Sequence, residues 1–187
     1  MYDPLQKSVA MRKLTMPELN RLSQEAFKAA EKLPLILVLD NIRSALNVGS
    51  IFRTADAFAV ETIVLCGITA KPPHREMLKT ALGATESVAW RYFNRTEEAL
   101  QVLKEQDTCI VAVEQTDESV RLQDFVPEAG KKYALILGNE VRGVSEEALP
   151  YCDVAIEIPQ FGTKHSLNVA VCAGVVVWEF MKKTGKC

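Results

Sequence analysis

The sequence of 187 residues has few of the residues from which metal sites and disulfide frameworks are built. Its two histidines, His74 and His165, stand in no H-E-x-x-H or similar metal-ligand spacing. Its five cysteines are an odd number without a C-x-x-C pair, which favours reduced, mostly buried thiols over disulfides or a zinc site. The composition therefore predicts a protein without a bound metal.

Long apolar runs are also missing. The longest, residues 169–178, is too short to cross a bilayer and contains Gly174, so it predicts a packed helix. The chain opens with Met1-Tyr2-Asp3-Pro4 and reaches charged residues without the apolar stretch of a signal peptide. We therefore expect a cytoplasmic protein that does not insert into membranes.

Three common nucleotide and nucleophile motifs are absent. No G-x-G-x-x-G follows a predicted strand, which disfavours dinucleotide-binding folds and Rossmann methyltransferases, and no G-x-S-x-G elbow is present. Gly138 and Gly143 have the spacing of a P-loop, but Val144 and Ser145 follow where Lys-Ser/Thr is needed. A nucleotide triphosphatase is therefore disfavoured.

The remaining composition, 48% hydrophobic and 25% charged, is that of an ordinary globular protein of net charge -2. The charges are spread unevenly, because residues 71–95 hold five basic side chains against two acidic ones and residues 97–128 hold nine acids against two bases. This asymmetry permits one basic face beside an acidic flank, but without the motifs a solvated surface with chance clustering is the favoured explanation.

Apolar runs and amphipathic segments alternate after residue 34, which predicts one α/β domain, residues 34–187, with a mostly parallel sheet flanked by helices. A helical extension, residues 1–33, precedes it; its helix runs from Pro17 and ends near Lys32, because Leu33 precedes Pro34. Predicted strands are 35–39, 62–66, 88–93, 109–113, 133–137 and 154–158. Predicted helices are 48–58, 76–82, 97–106, 145–149 and 167–183.

Polar residues collect where three of these strands end. The strand ending at Ile158 leads through Pro159 and Gly162 to a Ser166-x-Asn168 pair at the start of an apolar helix. Helix N-termini carry unpaired N–H groups and a positive dipole end, so Ser166 is either the N-cap, with Asn168 completing the turn, or part of a ligand site.

Two further segments share this pattern. The strand 133–137 opens into a loop that carries Gly138, Asn139 and Glu140. The strand 35–39 is followed by Asn47 and Arg53, six residues apart, so that Asn47 is placed to cap the helix carrying Arg53 rather than to share a face with it.

Together and in this order, the three segments resemble the three motifs of the SpoU (TrmH-like) branch of the SPOUT RNA methyltransferases, over residues 34–183. The resemblance implies a deep C-terminal trefoil knot, which is rare among folds. It also implies S-adenosylmethionine as cofactor, bound at Gly138, Ile158 and Leu167, and methylation of a ribose 2′-hydroxyl.

By the same resemblance, the catalytic residues are Arg53, Asn47, Glu140, Ser166 and Asn168. A guanidinium does not deprotonate readily in proteins, so we expect Arg53 to hold a neighbouring phosphate and stabilise developing alkoxide charge rather than act as a base. Glu140 then orients Arg53 or Asn47.

The resemblance further implies RNA as substrate and a homodimer that packs near the knot, in keeping with the apolar helix 167–183. Residues 111–116 resemble members that act on the tRNA D-loop guanosine, and no separate N-terminal RNA-binding domain is recognised, so we expect tRNA rather than rRNA. Two alternatives stay open: a non-catalytic SpoU-like RNA-binding module, and a methyltransferase of the same fold acting on protein or small molecules.

Overall fold

The computed structural model describes residues 11–185. Its centre is a seven-stranded sheet in the order β3-β2-β1-β6-β4-β7-β5, and every strand pair in it is parallel. The strands are β1 (Leu33–Asp40), β2 (Val60–Cys66), β3 (Ala89–Phe93), β4 (Cys109–Val113), β5 (Val120–Arg121), β6 (Tyr133–Leu137) and β7 (Val154–Glu157). The parallel α/β architecture predicted from the alternation is thereby confirmed.

Six helices connect the strands or flank them in the described part of the chain. They are α1 (Gln24–Ala29), α2 (Ala45–Ala57), α3 (Arg75–Ala81), α4 (Ala84–Ser87), α5 (Thr96–Glu105) and α6 (Val169–Lys183). Short 3-10 turns cover Pro17–Leu19 and Leu149–Tyr151. Within residues 11–185, no helix has both the length and the apolar character that a membrane span requires.

Alternate side chains of the central strands enter different halves of the core. From β1, Leu35, Leu37 and Leu39 pack with the apolar residues of α2, α3 and α6, whereas Ile36 and Val38 pack with α5. Side chains of a strand point alternately to its two faces, so a continuous apolar run lets β1 be covered on both sides. The sheet therefore lies between two helical layers, and its strand ends are left to carry the polar loops.

All six predicted strands agree with the structure within two residues at each end; the strand predicted at 154–158, for example, ends one residue earlier. The two-residue β5 and the one-turn α4 were not predicted. The helix predicted at 145–149 is wrong, because the chain there forms a turn and then the 3-10 segment Leu149–Tyr151. The last helix begins at Val169, two residues later than predicted.

The single helix predicted from Pro17 to Lys32 is also wrong. The 3-10 turn ends at Asn20, whose φ of 47° is left-handed and stops the helix, and α1 starts afresh with Ser23 as its N-cap. Residues 11–26 are exposed, and α1 has no buried residue. α1 nevertheless contacts the rest of the fold, because Phe27 packs against the core and Gln24 Nε2 donates to Glu86 Oε2 at 3.3 Å. The first ten residues, like Cys187, lie outside the described part.

Candidate active site

The three polar segments meet at the carboxyl ends of β1, β6 and β7. A cavity of about 700 Å³ opens there, between the loop that follows β6, the loop that follows β7 and the first turn of α6. Gly138, Ile158 and Leu167, the residues predicted to contact the cofactor, all line it, as do Glu140, Ser166 and Asn168. Its volume lies within the range of small-molecule sites.

The loop after β6 is held by side chains that take up its own backbone N–H groups. Asn139 Oδ1 accepts from the N–H of Val141 (2.9 Å) and Arg142 (3.1 Å). Glu114 Oε2 accepts from the N–H of Val144 at 2.9 Å, and Asp40 Oδ2 accepts from the N–H of Ser145 at 2.7 Å. The conformation of this loop thus depends on two carboxylates at the ends of β1 and β4, the strands on either side of β6.

Asp40 ends β1 and is fully buried. Besides Ser145 N–H, its carboxylate accepts from Thr96 Oγ1 at 2.5 Å and from Asn41 Nδ2 at 2.8 Å. A buried carboxylate is stable only when hydrogen bonds replace its lost hydration, and these three donors do so. Asp40 and Glu114 were not among the predicted site residues; the available signal was an acid directly at the end of an apolar strand in both cases.

Close backbone approach explains both glycines of this loop. A Cβ on Gly138 would lie 2.1 Å from the Gly143 carbonyl carbon and from Val144 N. Gly143 has φ +71°, and a Cβ there would lie 2.1 Å from Glu114 Oε2. Gly138 is therefore required because no space is left for a side chain beside the backbone, and Gly143 is favoured by its left-handed conformation.

This arrangement is the reverse of a phosphate-binding loop, in which backbone N–H groups point at the ligand. Here the N–H groups of Val141, Arg142, Val144 and Ser145 are occupied by protein acceptors, two of them carboxylates. The cavity thus has a glycine-bounded wall backed by negative charge, which suits a neutral or cationic ligand better than a polyphosphate.

A chain of three polar side chains joins all three segments beside the cavity. Glu140 Oε1 accepts from Asn47 Nδ2 at 3.0 Å, and Asn47 Oδ1 accepts from Asn168 Nδ2 at 3.2 Å. Asn168 is the N-cap of α6, and its Oδ1 accepts from the N–H of Ala170 and Val171. The side chain of each member fixes the next, from the loop after β6 to α2 and then to α6.

Glu140 also holds the start of α2. Its carboxylate accepts from the N–H of Arg43 (2.9 Å) and Ser44 (3.0 Å). Burial alone would raise the pKa of Glu140, but these hydrogen bonds and that from Asn47 outweigh burial and lower its pKa below the ordinary value. Glu140 is therefore ionised at neutral pH and orients Asn47; it makes no contact with Arg53.

Two predicted caps are assigned differently by the structure. The N-cap of α2 is Ser44, whose hydroxyl accepts from Asn47 N–H at 3.3 Å, so Asn47 lies inside the helix and is free to bridge. Asn168, rather than Ser166, caps α6. Among residues 11–185, the Ser166 hydroxyl has no hydrogen-bond partner and lies exposed on the cavity wall, where it is available to a ligand.

Cys172, one turn into α6, lines the same cavity. Burial, followed by the charge of Glu114, raises the pKa of its thiol to about 11. The thiol is therefore protonated at neutral pH and is not an activated nucleophile. No group of His, Cys, Asp and Glu suited to a metal occurs in residues 11–185.

Arg53 lies apart from this cavity. It is exposed on α2, about 120° around the helix from Asn47, and lines a different, smaller groove. In the described part of the chain its guanidinium forms no hydrogen bond or ion pair. The structure thus brings together Asn47, Glu140, Ser166 and Asn168, and leaves Arg53 facing outward.

The comparisons with known proteins agree with this geometry. The SpoU rRNA Methylase family matches residues 34–178. The chain is 33% identical over 146 residues to the 23S rRNA (guanosine-2′-O-)-methyltransferase RlmB of Neisseria meningitidis serogroup B, which covers 78% of this chain. The chain spans 57% of the length of that relative.

Two solved structures share the fold. The TrmH/SpoU tRNA modifying enzyme of A. aeolicus superposes with a TM-score of 0.75 at 27% identity, over 87% of this chain and 81% of that one. An AdoMet-bound rRNA methyltransferase from Sinorhizobium meliloti gives a TM-score of 0.75 at 26% identity, over 83% of this chain and 59% of that one.

Proposed function

The chain belongs to the SpoU rRNA methylase family, and we propose that it methylates a ribose 2′-hydroxyl of RNA with S-adenosylmethionine as methyl donor. One observation carries the proposal. Hydrogen bonds between the side chains of Glu140, Asn47 and Asn168 join the three motif segments beside a single cavity of about 700 Å³. Asn47 and Asn168 are 121 positions apart in the sequence, and surface residues with unrelated roles would not be expected to meet in this way.

The cavity fits the cofactor chemically. S-adenosylmethionine, when bound, supplies an electrophilic methyl group on a cationic sulfonium. Gly138, Ile158 and Leu167 are the residues that would hold it, by backbone and apolar contact. The carboxylates of Asp40 and Glu114 behind the loop favour a cation there, and they keep the glycine-bounded wall in one conformation before binding.

The polar residues of this protein would orient the ribose and stabilise the charge that develops on its oxygen. Ser166 and Asn168 stand at the cavity wall, where a ribose can be oriented, and Asn47 is fixed beside them by Glu140. In the transfer the O–CH3 bond would form as the S–CH3 bond breaks, with S-adenosylhomocysteine as the leaving group and the hydroxyl proton passing to water, so that the ribose oxygen takes on alkoxide character. Arg53, which has no hydrogen-bond or ion-pair partner among residues 11–185, is suited to hold the neighbouring phosphate and stabilise that charge.

Arg53 can reach such a ribose if it comes from a second copy of the chain. We propose a homodimer in which the cavity of one copy meets Arg53 of the other. In support, α6 exposes Val171 (55%), Val175 (39%) and Trp178 (48%), and Trp178 stacks near Phe58, which shares a groove with Arg53. An apolar face of this kind beside a functional arginine is typical of a subunit interface.

The trefoil knot belongs to the same proposal. β6 lies between β1 and β4, and β7 lies between β4 and β5. The last third of the chain thus adds strands between strands that precede them in the sequence. α6 then returns to pack against α2. A threaded C-terminal segment would account for this order.

Within RNA, we propose tRNA as the substrate class and the D-loop guanosine as the target. The resemblance of residues 111–116 to D-loop enzymes supports this, and Glu114 of that stretch lies in the cavity. The likeness to the A. aeolicus tRNA modifying enzyme, over most of both chains, points the same way. Ribosomal RNA is the competing class, as in the Neisseria relative.

The test uses purified protein and methyl-labelled S-adenosylmethionine, with EDTA present, against an unmodified tRNA transcript, an rRNA transcript and bulk protein. We expect label in RNA, released by nuclease digestion as a 2′-O-methyl nucleoside, with more in tRNA than in rRNA. Label in protein would contradict the proposal. Cofactor binding by calorimetry without any transfer to RNA would instead indicate a non-catalytic module.

A further inference from the structure

A second cavity, of about 430 Å³, lies between α2 and α3 and shares no residue with the first. Two cations face it, Arg53 from α2 and Lys79 from α3. The remaining lining consists of Ser50, Thr54, Ala57, Phe58 and Thr80. The side chains of this groove thus provide positive charge, hydroxyl groups and a small apolar surface formed by Ala57 and Phe58.

Close packing of the two helices creates the groove. A Cβ on Gly49 would lie 2.2 Å from both Met77 O and Thr80 Oγ1, so only glycine lets α3 approach α2 this closely. Thr80 Oγ1 then donates to Leu46 O at 2.8 Å and fixes α3 against α2. Lys79, next to Thr80, is thereby placed in the same groove as Arg53.

The charges of the groove are available to an anion. Arg53 has no partner among the described residues, and Lys79 is paired with Glu76, one turn earlier on α3, at 2.6 Å. This pair is exposed, at 55% for Lys79 and 43% for Glu76, and exposed pairs of this kind contribute little. The hydroxyls of Ser50 and Thr80 already donate to Leu46 O, so the two cations and the Thr54 hydroxyl are the groups that can hold an anion.

We propose that this groove binds a phosphodiester of the RNA substrate, with Lys79 as an RNA-binding residue beside Arg53 and Glu76 as its competitor. The proposal rests on the proposed function and names one place where RNA is held. Lys79 lies in the basic stretch of residues 71–95, so phosphates that follow the strand past the groove meet further positive charge.

Three variants test it, with binding of a fluorescein-labelled tRNA transcript and methyl transfer measured on each. Lys79→Ala should weaken RNA binding about fivefold to tenfold, with cofactor affinity unchanged. The slope of the logarithm of the binding constant against the logarithm of the salt concentration (the salt slope) should fall in magnitude by about one unit. Lys79→Arg should restore binding. Glu76→Gln should act in the opposite direction and tighten binding about twofold, because it frees Lys79.

Lys104→Ala is the matched control. Lys104 is also an exposed lysine in an ion pair, with Asp153 at 3.0 Å, but it lies on α5 beyond the other face of the sheet. We expect its RNA binding and salt slope to equal those of the wild type.

The proposal is overturned if Lys79→Ala binds RNA as the wild type does, or if Glu76→Gln weakens binding. It is also overturned if Lys79→Ala lowers the mass in sedimentation equilibrium to one chain, since the groove would then be a subunit contact. Because RNA binding is measured directly, wild-type protein that binds tRNA through Lys79 without methylating it would count against the proposed function alone.

Discussion

Two regions of this molecule, the cavity at the ends of β6 and β7 and the outer face of α2, differ in how completely one chain builds them. Around the cavity, each polar side chain from Glu140 to Asn47 to Asn168 has a protein partner. On the outer face of α2, Arg53 has none among the described residues. The first region is organised before any ligand arrives, whereas the second depends on something outside the chain.

This difference fits a two-substrate reaction. A small cofactor needs a rigid wall, and rigidity comes from hydrogen bonds such as those of Asp40 and Glu114 to the loop. RNA is large and binds through its phosphates, so an exposed arginine and lysine at a groove are the appropriate counterpart. Variants of the two regions should therefore separate cofactor binding from RNA handling.

The largest effect is expected at Arg53. Arg53→Ala should reduce methyl transfer about 10²-fold to 10³-fold, because a charge that acts on the transition state is lost. Cofactor affinity should stay within about twofold, since Arg53 is absent from the cavity lining. Arg53→Lys should fail as well, because lysine lacks the planar fork. Near-normal turnover of Arg53→Ala under single-turnover conditions would remove this residue from the reaction.

Substitution of Glu140 should lower the free energy of unfolding, and the size of this effect should depend on pH. Its folded-state pKa lies below the ordinary value of 4.5, so the stabilisation is fully present above that value and is lost as pH falls through the folded-state pKa. Glu140→Gln should lower the free energy of unfolding by about 2 kcal/mol at neutral pH, because N–H groups at the start of α2 lose an ionised acceptor. Urea unfolding at neutral pH and at successively lower pH values below 4.5 checks this.

The expected difference between wild type and Glu140→Gln shrinks in acid. A difference that stayed constant with pH would show that the charge of Glu140 is not what stabilises the helix start. Glu146→Gln is the control, because Glu146 is an exposed acid in the segment after the same loop. It should leave the free energy of unfolding unchanged at both neutral and acid pH.

Glu114 should affect cofactor binding alone. Glu114→Ala removes the acceptor of Val144 N–H and should weaken S-adenosylmethionine binding about tenfold, since the loop must then be ordered on binding. Binding of tRNA should not change. The exposed neighbour Glu118→Ala is the control in the same calorimetric titration. Equal affinities for Glu114→Ala and Glu118→Ala would show that the loop does not need this carboxylate.

The smallest effect on stability is expected at Asn168, where two substitutions separate a structural role from a role in the reaction. Asn168→Ala loses the cap of α6 and should cost about 1 kcal/mol of stability. Asn168→Asp keeps a capping oxygen but loses the N–H donor to Asn47 Oδ1, so stability should stay near the wild type while methyl transfer falls. If Asn168→Asp were as active as wild type, the bridge to Asn47 would have no part in the reaction.

Much of the fold was accessible from sequence because its strands are short apolar runs that both sheet faces bury, as in Tyr133–Leu137. The polar residues of the cavity were accessible because they lie in the segments that follow such strands and match the three motifs. Asp40 and Glu114 were missed because their partners, Ser145 and Val144, lie 105 and 30 residues away, and no local pattern records those contacts.

The N-terminal segment shows the opposite failure. Helical spacing continues through Asn20, but with residues 11–26 exposed no tertiary packing supports one long helix. Asn20 and Ser23 then each adopt a local conformation that ends or restarts it. Periodicity predicted the position of Arg53 on α2 equally well, yet it did not show that the side chain faces away from the cavity.

The central claim is that one site is shared by two copies of the chain, and a mixing experiment tests it most directly. Arg53→Ala is co-expressed with a double variant, Ser166→Ala with Asn168→Ala, each with its own affinity tag, and dimers carrying both tags are purified. In a mixed dimer, one cavity is intact and meets an intact Arg53 of the other copy.

Each variant alone should be inactive, whereas the doubly tagged dimer should recover about half of the wild-type activity, since one of its two equivalent sites is complete. If Arg53 instead serves the cavity of its own chain, every site in the mixed dimer lacks one part. A doubly tagged dimer as inactive as its parents would therefore contradict the account.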